Sequence, residues 1–406
     1  MINAPILIAL GTRPEAIKLL PVYRACQQQQ LPVLLCNTNQ HTTMLAELFT
    51  LFAVQPDLTL PPLPPERTLI DLTSAILSNL QAIFRTYQPA LVVVQGDTVT
   101  ALAASLAAFY HGIKLAHVEA GLRSGNILAP YPEEFNRKLI SLIATDHFAP
   151  TVLARDNLLR EGVPAAQIFV TGNTVVDALQ WVQAQLTGSA GATALATPPL
   201  STATVTLLQQ QQQLGQKLIL FTMHRRESWG ANTEQVFTAV RQIAQEFPMV
   251  SFLYPLHPNP LFKTLVQQLQ LTSYRNIILL PTLAYHELIY VLSQVQYVLT
   301  DSGGLQEEAA VLGKPVLVLR DETDRPESVQ ARLAQLVGTS VATVTAGLRA
   351  LLRQQILTQV NPSQLYGTGH SAQQIVTILA RELGLPEAVP NLPLTSHRSL
   401  TESNQL

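Results

Sequence analysis

The run Leu299-Thr300-Asp301-Ser302-Gly303-Gly304-Leu305-Gln306-Glu307-Glu308 concentrates more potential chemistry than any other stretch of the chain. An apolar, strand-like segment, Tyr297–Leu299, enters it. An apparent helix leaves it and stops at Gly313, before Lys314, Pro315 and another apolar run, Val316–Leu319. A helix start exposes unpaired N–H groups and a partial positive charge, which suits a phosphate. The glycines let a ligand come close to the backbone, and Ser302 adds a hydroxyl. Glu308 lies four residues past Gly304, on the same helix face about one turn in, where a carboxylate could accept hydrogen bonds from both hydroxyls of a ribose. Diphosphate and ribose together mean a nucleotide. Beyond the next strand, Arg325 in Arg320-Asp321-Glu322-Thr323-Asp324-Arg325-Pro326-Glu327 is placed to meet a diphosphate lying on the Ser302–Gly304 turn.

The first half of the chain carries a complementary set. The strand-like Ile6–Leu10 runs into Gly11-Thr12-Arg13-Pro14-Glu15-Ala16-Ile17-Lys18, where Pro14 fits a first helical turn. Arg13 and Lys18 can then both point at a ligand. Asp97 follows the strand Leu91–Val94 and, taken alone, reads as a plain helix N-cap. Glu119 ends the strand Leu115–Val118, where a carboxylate is costly to desolvate unless paired or used. His117, one residue back from Val118, reads as a satisfied structural histidine. Glu133 and Glu134 open a helix behind Pro130-Tyr131-Pro132. Asp97, Glu119 and Glu133 would put three carboxylates at adjacent strand or loop ends, and crowded carboxylates suit proton transfer near neutral pH. In the second half, His224 stands at the carboxyl end of the strand Leu218–Thr222, again where a ligand would lie.

The elements that must hold these residues are continuous apolar runs, not alternating ones. Further runs are Val33–Cys36, His147–Ala149, Val250–Tyr254 and Ile277–Leu280, with helix-period segments such as Thr98–Tyr110 and Glu133–Thr145 between strands. Continuous runs mark parallel strands covered by helices on both faces. The fold class expected is α/β: two Rossmann-like parallel-sheet domains facing a central cleft, with ligand at the carboxyl ends of the strands. The boundaries read as 1–172 for a first domain carrying the carboxylates and 173–369 for a nucleotide-binding domain. A helix at about 370–384 packs back on the first, and 385–406 forms a disordered tail rich in Pro, Ser and Thr. The Ala-, Thr-, Gly- and Pro-rich stretch Thr187–Thr206 reads as a surface loop, followed by a Gln-rich helix over Leu207–Gln213.

Composition narrows the function classes. The 406 residues carry a net charge of −2, which leaves no electrostatic footprint for nucleic acid, so any polyanion must be held by local cations. No apolar run reaches the roughly 18 to 20 residues of a membrane span, and the start Met1-Ile2-Asn3-Ala4-Pro5 lacks a basic leader. Cys26 and Cys36 have no metal-ligand spacing and read as buried free thiols of a cytoplasmic protein. No P-loop, nucleophile elbow or strand-linked G-x-G-x-x-G is present, so the expectation is no metal and no cofactor, with the chemistry left to carboxylates, a histidine and cations around a nucleotide.

Taken together, Gly11–Lys18, Gly96-Asp97-Thr98, His117–Arg123, Pro132–Arg137, Thr171–Thr174, His224–Ser228, Thr300–Glu308 and Arg325–Glu327 resemble the non-hydrolysing UDP-N-acetylglucosamine 2-epimerases, from about Ile6 to about Leu379. The resemblance implies a fold like that of GT-B glycosyltransferases with UDP in the cleft. It implies interconversion of UDP-GlcNAc and UDP-ManNAc by anti elimination of UDP to 2-acetamidoglucal and re-addition, supplying surface polysaccharide. Carried over, it assigns Arg13, Lys18 and His224 to the leaving diphosphate and Asp97, Glu119 and Glu133 to acid/base work, with His224 counted among the catalytic residues. Ser302, Gly303, Gly304, Glu308 and Arg325 would hold phosphate and ribose, and Leu283 and Leu288 would line the substrate site. It also suggests a homodimer.

The chain departs from the family pattern in places. Leu288 replaces a frequent Phe near the base, keeping apolar contact but losing ring stacking. Where bacterial members seat a second, activating UDP-GlcNAc, this chain has Gln40-His41-Thr42-Thr43 and Glu66-Arg67-Thr68-Leu69, which implies weak or absent activation. Four other readings share many of these features: a GT-B UDP-sugar glycosyltransferase, an epimerase of a related 2-acetamido sugar nucleotide, a hydrolysing epimerase, and a non-catalytic nucleotide-sugar sensor.

Overall fold

The computed structural model describes residues 4–41, 43–62, 67–187, 200–223, 230–256, 259–353 and 365–385. Among them, strands and helices alternate almost throughout. The first part runs β1 (Ile6–Leu10), α1 (Arg13–Gln28), β2 (Val33–Asn37), α2 (Thr43–Leu51), β3 (Leu58–Thr59), α3 (Leu69–Tyr87), β4 (Leu91–Gln95), α4 (Val99–Tyr110), β5 (Lys114–Val118), α5 (Glu133–Ile143), β6 (Asp146–Ala149), α6 (Val152–Arg160), β7 (Ile168–Val170) and α7 (Thr174–Thr187). The second runs α8 (Thr202–Gln213), β8 (Lys217–Thr222), α9 (Ala231–Glu246), β9 (Val250–Pro255), α10 (Pro260–Gln268), β10 (Ile277–Leu280), α11 (Tyr285–Gln294), β11 (Tyr297–Thr300), α12 (Gly303–Val311), β12 (Val316–Val318), α13 (Pro326–Gln330), β13 (Ala334–Leu336), α14 (Val341–Leu352) and α15 (Ser371–Glu382).

The strands form two parallel sheets, ordered β3-β2-β1-β4-β5-β6-β7 and β10-β9-β8-β11-β12-β13. In each, the winding direction reverses between a central pair, β1/β4 in one and β8/β11 in the other. Loops leaving such a pair diverge to opposite faces and open a crevice at the strand carboxyl ends. The sheets are covered on both faces, as the apolar runs require: Ile6, Ile8 and Leu10 of β1 join one core while Leu7 and Ala9 join another. In β8, Leu218 and Leu220 face one way and Ile219 and Phe221 the other.

One core reaches from the first sheet to the second, through α7. That helix packs on α1 beside the first sheet, on α11 and α12 beside the second, and on α15. α15 also packs on α1, burying Ile375, Val376 and Leu379.

The short strands β3, β7 and β13 escape the sequence reading because two or three residues carry no period. The Gln-rich helix begins earlier than its glutamines suggest, at Thr202 behind a Ser201 N-cap. Cys26 and Cys36 are buried and unbridged. Among the described residues no helix is long and apolar enough to cross a membrane.

Candidate active site

At the end of β1 the chain turns through Gly11 and Thr12 into α1. Glu15 closes this turn: its Oε2 accepts from the backbone N–H of Gly11 (2.9 Å) and Thr12 (2.8 Å) and from the Thr12 hydroxyl (2.8 Å). Its other oxygen accepts from the Thr98 hydroxyl at 2.5 Å, tying the β1 turn to the turn that follows β4. Burial pushes Glu15 up to about 7 against these hydrogen bonds. The sequence reading passed over Glu15, although Thr12-x-x-Glu15 has the spacing of a capping box. Gly11 is forced by close approach, since a Cβ there would lie 2.0 Å from the Thr38 hydroxyl oxygen. Arg13 emerges half-buried, with its guanidinium 5.9 Å from the centre of the Tyr285 ring on α11.

Lys18 points from α1 into the deepest part of the site. Its ammonium donates to Glu119 at the end of β5 and lies 2.9 Å from Glu307 on α12. Arg325 answers from the opposite side: its Nε donates to Glu307 at 2.7 Å, and its other nitrogens lie 2.7 Å from Asp324 and 3.7 Å from Glu119. Two cations and two carboxylates, drawn from both sheets, thus interlock with side chains at most 9% exposed. Burial pushes Glu119 up to about 7, the neighbouring Glu307 pushing the same way and Lys18 opposing. Glu307 also pays for its burial, but Arg325 and Lys18 outweigh it and hold that carboxylate below its usual range. Glu119 has φ +64°, a left-handed conformation that costs a non-glycine residue about 1–3 kcal/mol and concentrates at functional sites. Glu307 is not among the site residues expected from sequence.

Asp97 is not the cap of α4. Thr98 takes that role, accepting from Ala101 N–H at 3.0 Å. This frees the Asp97 carboxylate to accept from Arg137 Nε at 2.7 Å, while its backbone carbonyl accepts from the Asn136 amide at 2.8 Å. Both partners sit on α5, one turn beyond Glu133, which is the first residue of that helix. Glu134 is the fully buried member of the acidic pair and binds Arg137 at 2.9 Å. His117 is structural: buried, with its pKa pushed down to about 3 by burial, it is neutral and donates from Nε2 to the Gly96 carbonyl at 2.8 Å. It thereby fixes the turn from which Asp97 projects.

Across the site, Ser302 caps α12 by accepting from Leu305 N–H at 3.3 Å. A Cβ on Gly303 would fall 2.7 Å from the Arg325 guanidinium, whereas one on Gly304 would meet nothing within 4 Å. Glu308 is buried one turn into α12 beside the Tyr285 hydroxyl, and burial pushes it up to about 7. Leu283 is buried and Leu288 half-buried on the same side, at the start of α11. Of the residues expected from sequence, Lys18, Glu119 and Arg325 come into direct contact. Asp97 joins them through Arg137 and Asp324, and Arg13 and Glu308 meet at Tyr285. His224 lies outside the described residues.

The arrangement offers a cationic pair and a helix N-terminus for a diphosphate, a carboxylate for ribose, and acid/base groups at the opposite strand ends. The family model described as UDP-N-acetylglucosamine 2-epimerase matches residues 24–380. The UDP-N-acetylglucosamine 2-epimerase of Yersinia pestis is 42% identical over 382 residues, covering 92% of this chain and 98% of its own. The Neisseria meningitidis UDP-GlcNAc 2-epimerase, solved bound to UDP-GlcNAc, superposes with a TM-score of 0.83 at 38% identity, over 93% of this chain and 100% of that one. The S. aureus MnaA–UDP co-structure gives 0.83 at 35% identity, over 94% and 98%. By sequence and by fold, the chain belongs to the UDP-N-acetylglucosamine 2-epimerases, a family of isomerases.

Proposed function

We propose that this protein reversibly inverts C2 of UDP-N-acetylglucosamine to give UDP-N-acetylmannosamine, by anti elimination of UDP and re-addition. One observation carries the reading: Lys18 and Arg325 converge from the two sheets on Glu119 and Glu307, at the carboxyl ends of the strands. In the elimination a carboxylate takes the C2 proton. The C–H electron pair becomes the C1=C2 bond of 2-acetamidoglucal, and the C1–O bond breaks with UDP taking its electrons. A proton delivered to the other face of C2, with UDP returning to C1, completes the inversion.

The C2 proton is not acidic, so stabilising the leaving diphosphate is where cations contribute most. Arg13, Lys18 and Arg325 serve that role, with His224 as a further contributor. An arriving diphosphate competes with Glu119 and Glu307 for Lys18 and Arg325; burial already raises the paired Glu119 to about 7, and loss of its cations pushes it further up, toward holding and delivering a proton. Asp97 and Glu133 complete the acid/base set. Ser302, Gly303 and Gly304 hold phosphate, Glu308 holds ribose, and Leu283 and Leu288 form an apolar wall for the base. Residues 1–172 and 173–369 act as two domains closing on the ligand, with 370–384 returning to the first. A cytoplasmic homodimer supplying ManNAc-type sugars for surface polysaccharide is the setting we infer.

The test is proton NMR of UDP-GlcNAc with the purified protein in D2O. A UDP-ManNAc signal set with deuterium at C2 supports the proposal. Free ManNAc with UDP would replace it with a hydrolysing enzyme. No change despite UDP binding would overturn it in favour of another sugar nucleotide or a glycosyltransferase.

A further inference from the structure

We propose that Arg137 is a positioning residue for Asp97, and that Asp324, reaching Arg137 from the opposite sheet, completes its grip. The inference rests on the assignment of Asp97 to acid/base work. Arg137 is 3% exposed and meets a carboxylate on each edge of its guanidinium. Nε donates to Asp97 at 2.7 Å, Nη1 to Glu134 at 2.9 Å and Nη2 to Asp324 at 2.7 Å. A planar five-donor fork cannot turn to improve one of these bonds without weakening the others. Glu134 is itself pinned, accepting from Ser124 N–H at 3.0 Å. Two fixed edges therefore set the angle at which the third presents itself to Asp97.

One of those edges is not local. Asp97 and Arg137 belong to the first sheet's loops and helices, whereas Asp324 lies between β12 and α13 of the second, 187 residues away in sequence. The same Asp324 oxygen lies 2.7 Å from Arg325, the cation that joins Glu119 and Glu307. A continuous path of ion pairs thus runs from Asp97 through Arg137 and Asp324 to Arg325. The direction of Asp97 is therefore coupled, through Arg137 and Asp324, to the seating of the arginine on the phosphate side. A second link between the sides, the Thr151 hydroxyl donating to Glu327 at 2.5 Å, touches neither Asp97 nor Arg137 and provides a control.

The D2O experiment on the unmodified enzyme comes first. If no epimerisation occurs, the underlying assignment fails; the positioning role is judged on the variants of an active enzyme. Asp324→Asn keeps the shape and removes a negative charge beside Arg325. UDP should bind as tightly as before or more tightly, by calorimetry, while kcat falls about tenfold or more, since small misalignment of a reacting group is costly. Arg137→Lys replaces the fork by a point charge and should show the same split, with UDP binding and a cooperative thermal melt retained. Thr151→Val should keep kcat within about twofold of wild type. The proposal is overturned if both Asp324→Asn and Arg137→Lys keep wild-type kcat, if their loss of kcat is matched by an equal loss of UDP affinity, or if Thr151→Val loses as much as they do.

Discussion

A methyl group added to Gly11, at the end of β1, would collide with the Thr38 hydroxyl oxygen at 2.0 Å; one added to Gly304, in the first turn of α12 after β11, would meet nothing within 4 Å. Both glycines stand just beyond a central strand of a parallel sheet, yet their surroundings differ. The first turn is packed solid, its donors taken up by Glu15 and its neighbour fastened through Thr98. The second leaves room over a helix N-terminus. A filled turn holds its own side chains in place, whereas an open one leaves space in which a ligand could approach the backbone. On the proposed function, the first sheet's turns would aim the reacting groups and the second's would hold the ligand.

Removing the proposed acid/base groups of the first sheet should have the largest effect. Asp97→Asn or Glu119→Gln should lower kcat about a hundredfold or more while UDP affinity stays within about threefold. Unchanged turnover in either would take that residue out of the mechanism. Next comes Gly304→Ala, which should leave the melting temperature unchanged and weaken UDP about tenfold, close to 1.4 kcal/mol. A drop in stability with normal UDP binding would instead make Gly304 a packing residue and dissolve the contrast.

Glu308→Gln sharpens it further through pH. Burial raises the native carboxyl to about 7 from an ordinary value of 4.5, so between those pH values the native state holds a proton that the unfolded state has released. Stability therefore falls as pH rises through this window, and the cost is complete above about 7. The amide carries no such cost. The variant should gain melting temperature at pH 8 relative to pH 5 while binding UDP less well, and equal gains at both pH values would refute the assignment. The smallest effect is expected from Leu288→Phe, which should tighten KM by about two- to threefold at constant kcat through stacking on the base.

The sheets were legible because their strands are continuous apolar runs, and ten of the thirteen strands follow such runs. The turn carrying Ser302, Gly303 and Gly304 was legible as a helix start because its cap and glycines are local, written in adjacent residues. Glu15 had a readable capping pattern that was overlooked among more conspicuous charges. Asp324, Arg137 and Glu307 had no such pattern. Their significance lies in partners 187 or more than a hundred residues away, and a carboxylate in a charged loop looks the same whether it faces water or a buried guanidinium. The cap assigned to Asp97 in isolation failed for a related reason: Thr98, one position on, could cap as well, and tertiary pairing with Arg137 decided between them.

The packing of α15 on α1 and α7 has a consequence for how the chain is made. The helix that covers the first elements is synthesised after all the described strands of both sheets. Until residues 371–382 emerge, the faces of α1 and α7 that receive Ile375, Val376 and Leu379 stay exposed to water, although the strands they flank were synthesised hundreds of residues earlier. The nascent chain must carry an uncovered apolar surface until residues 371–382 have been made.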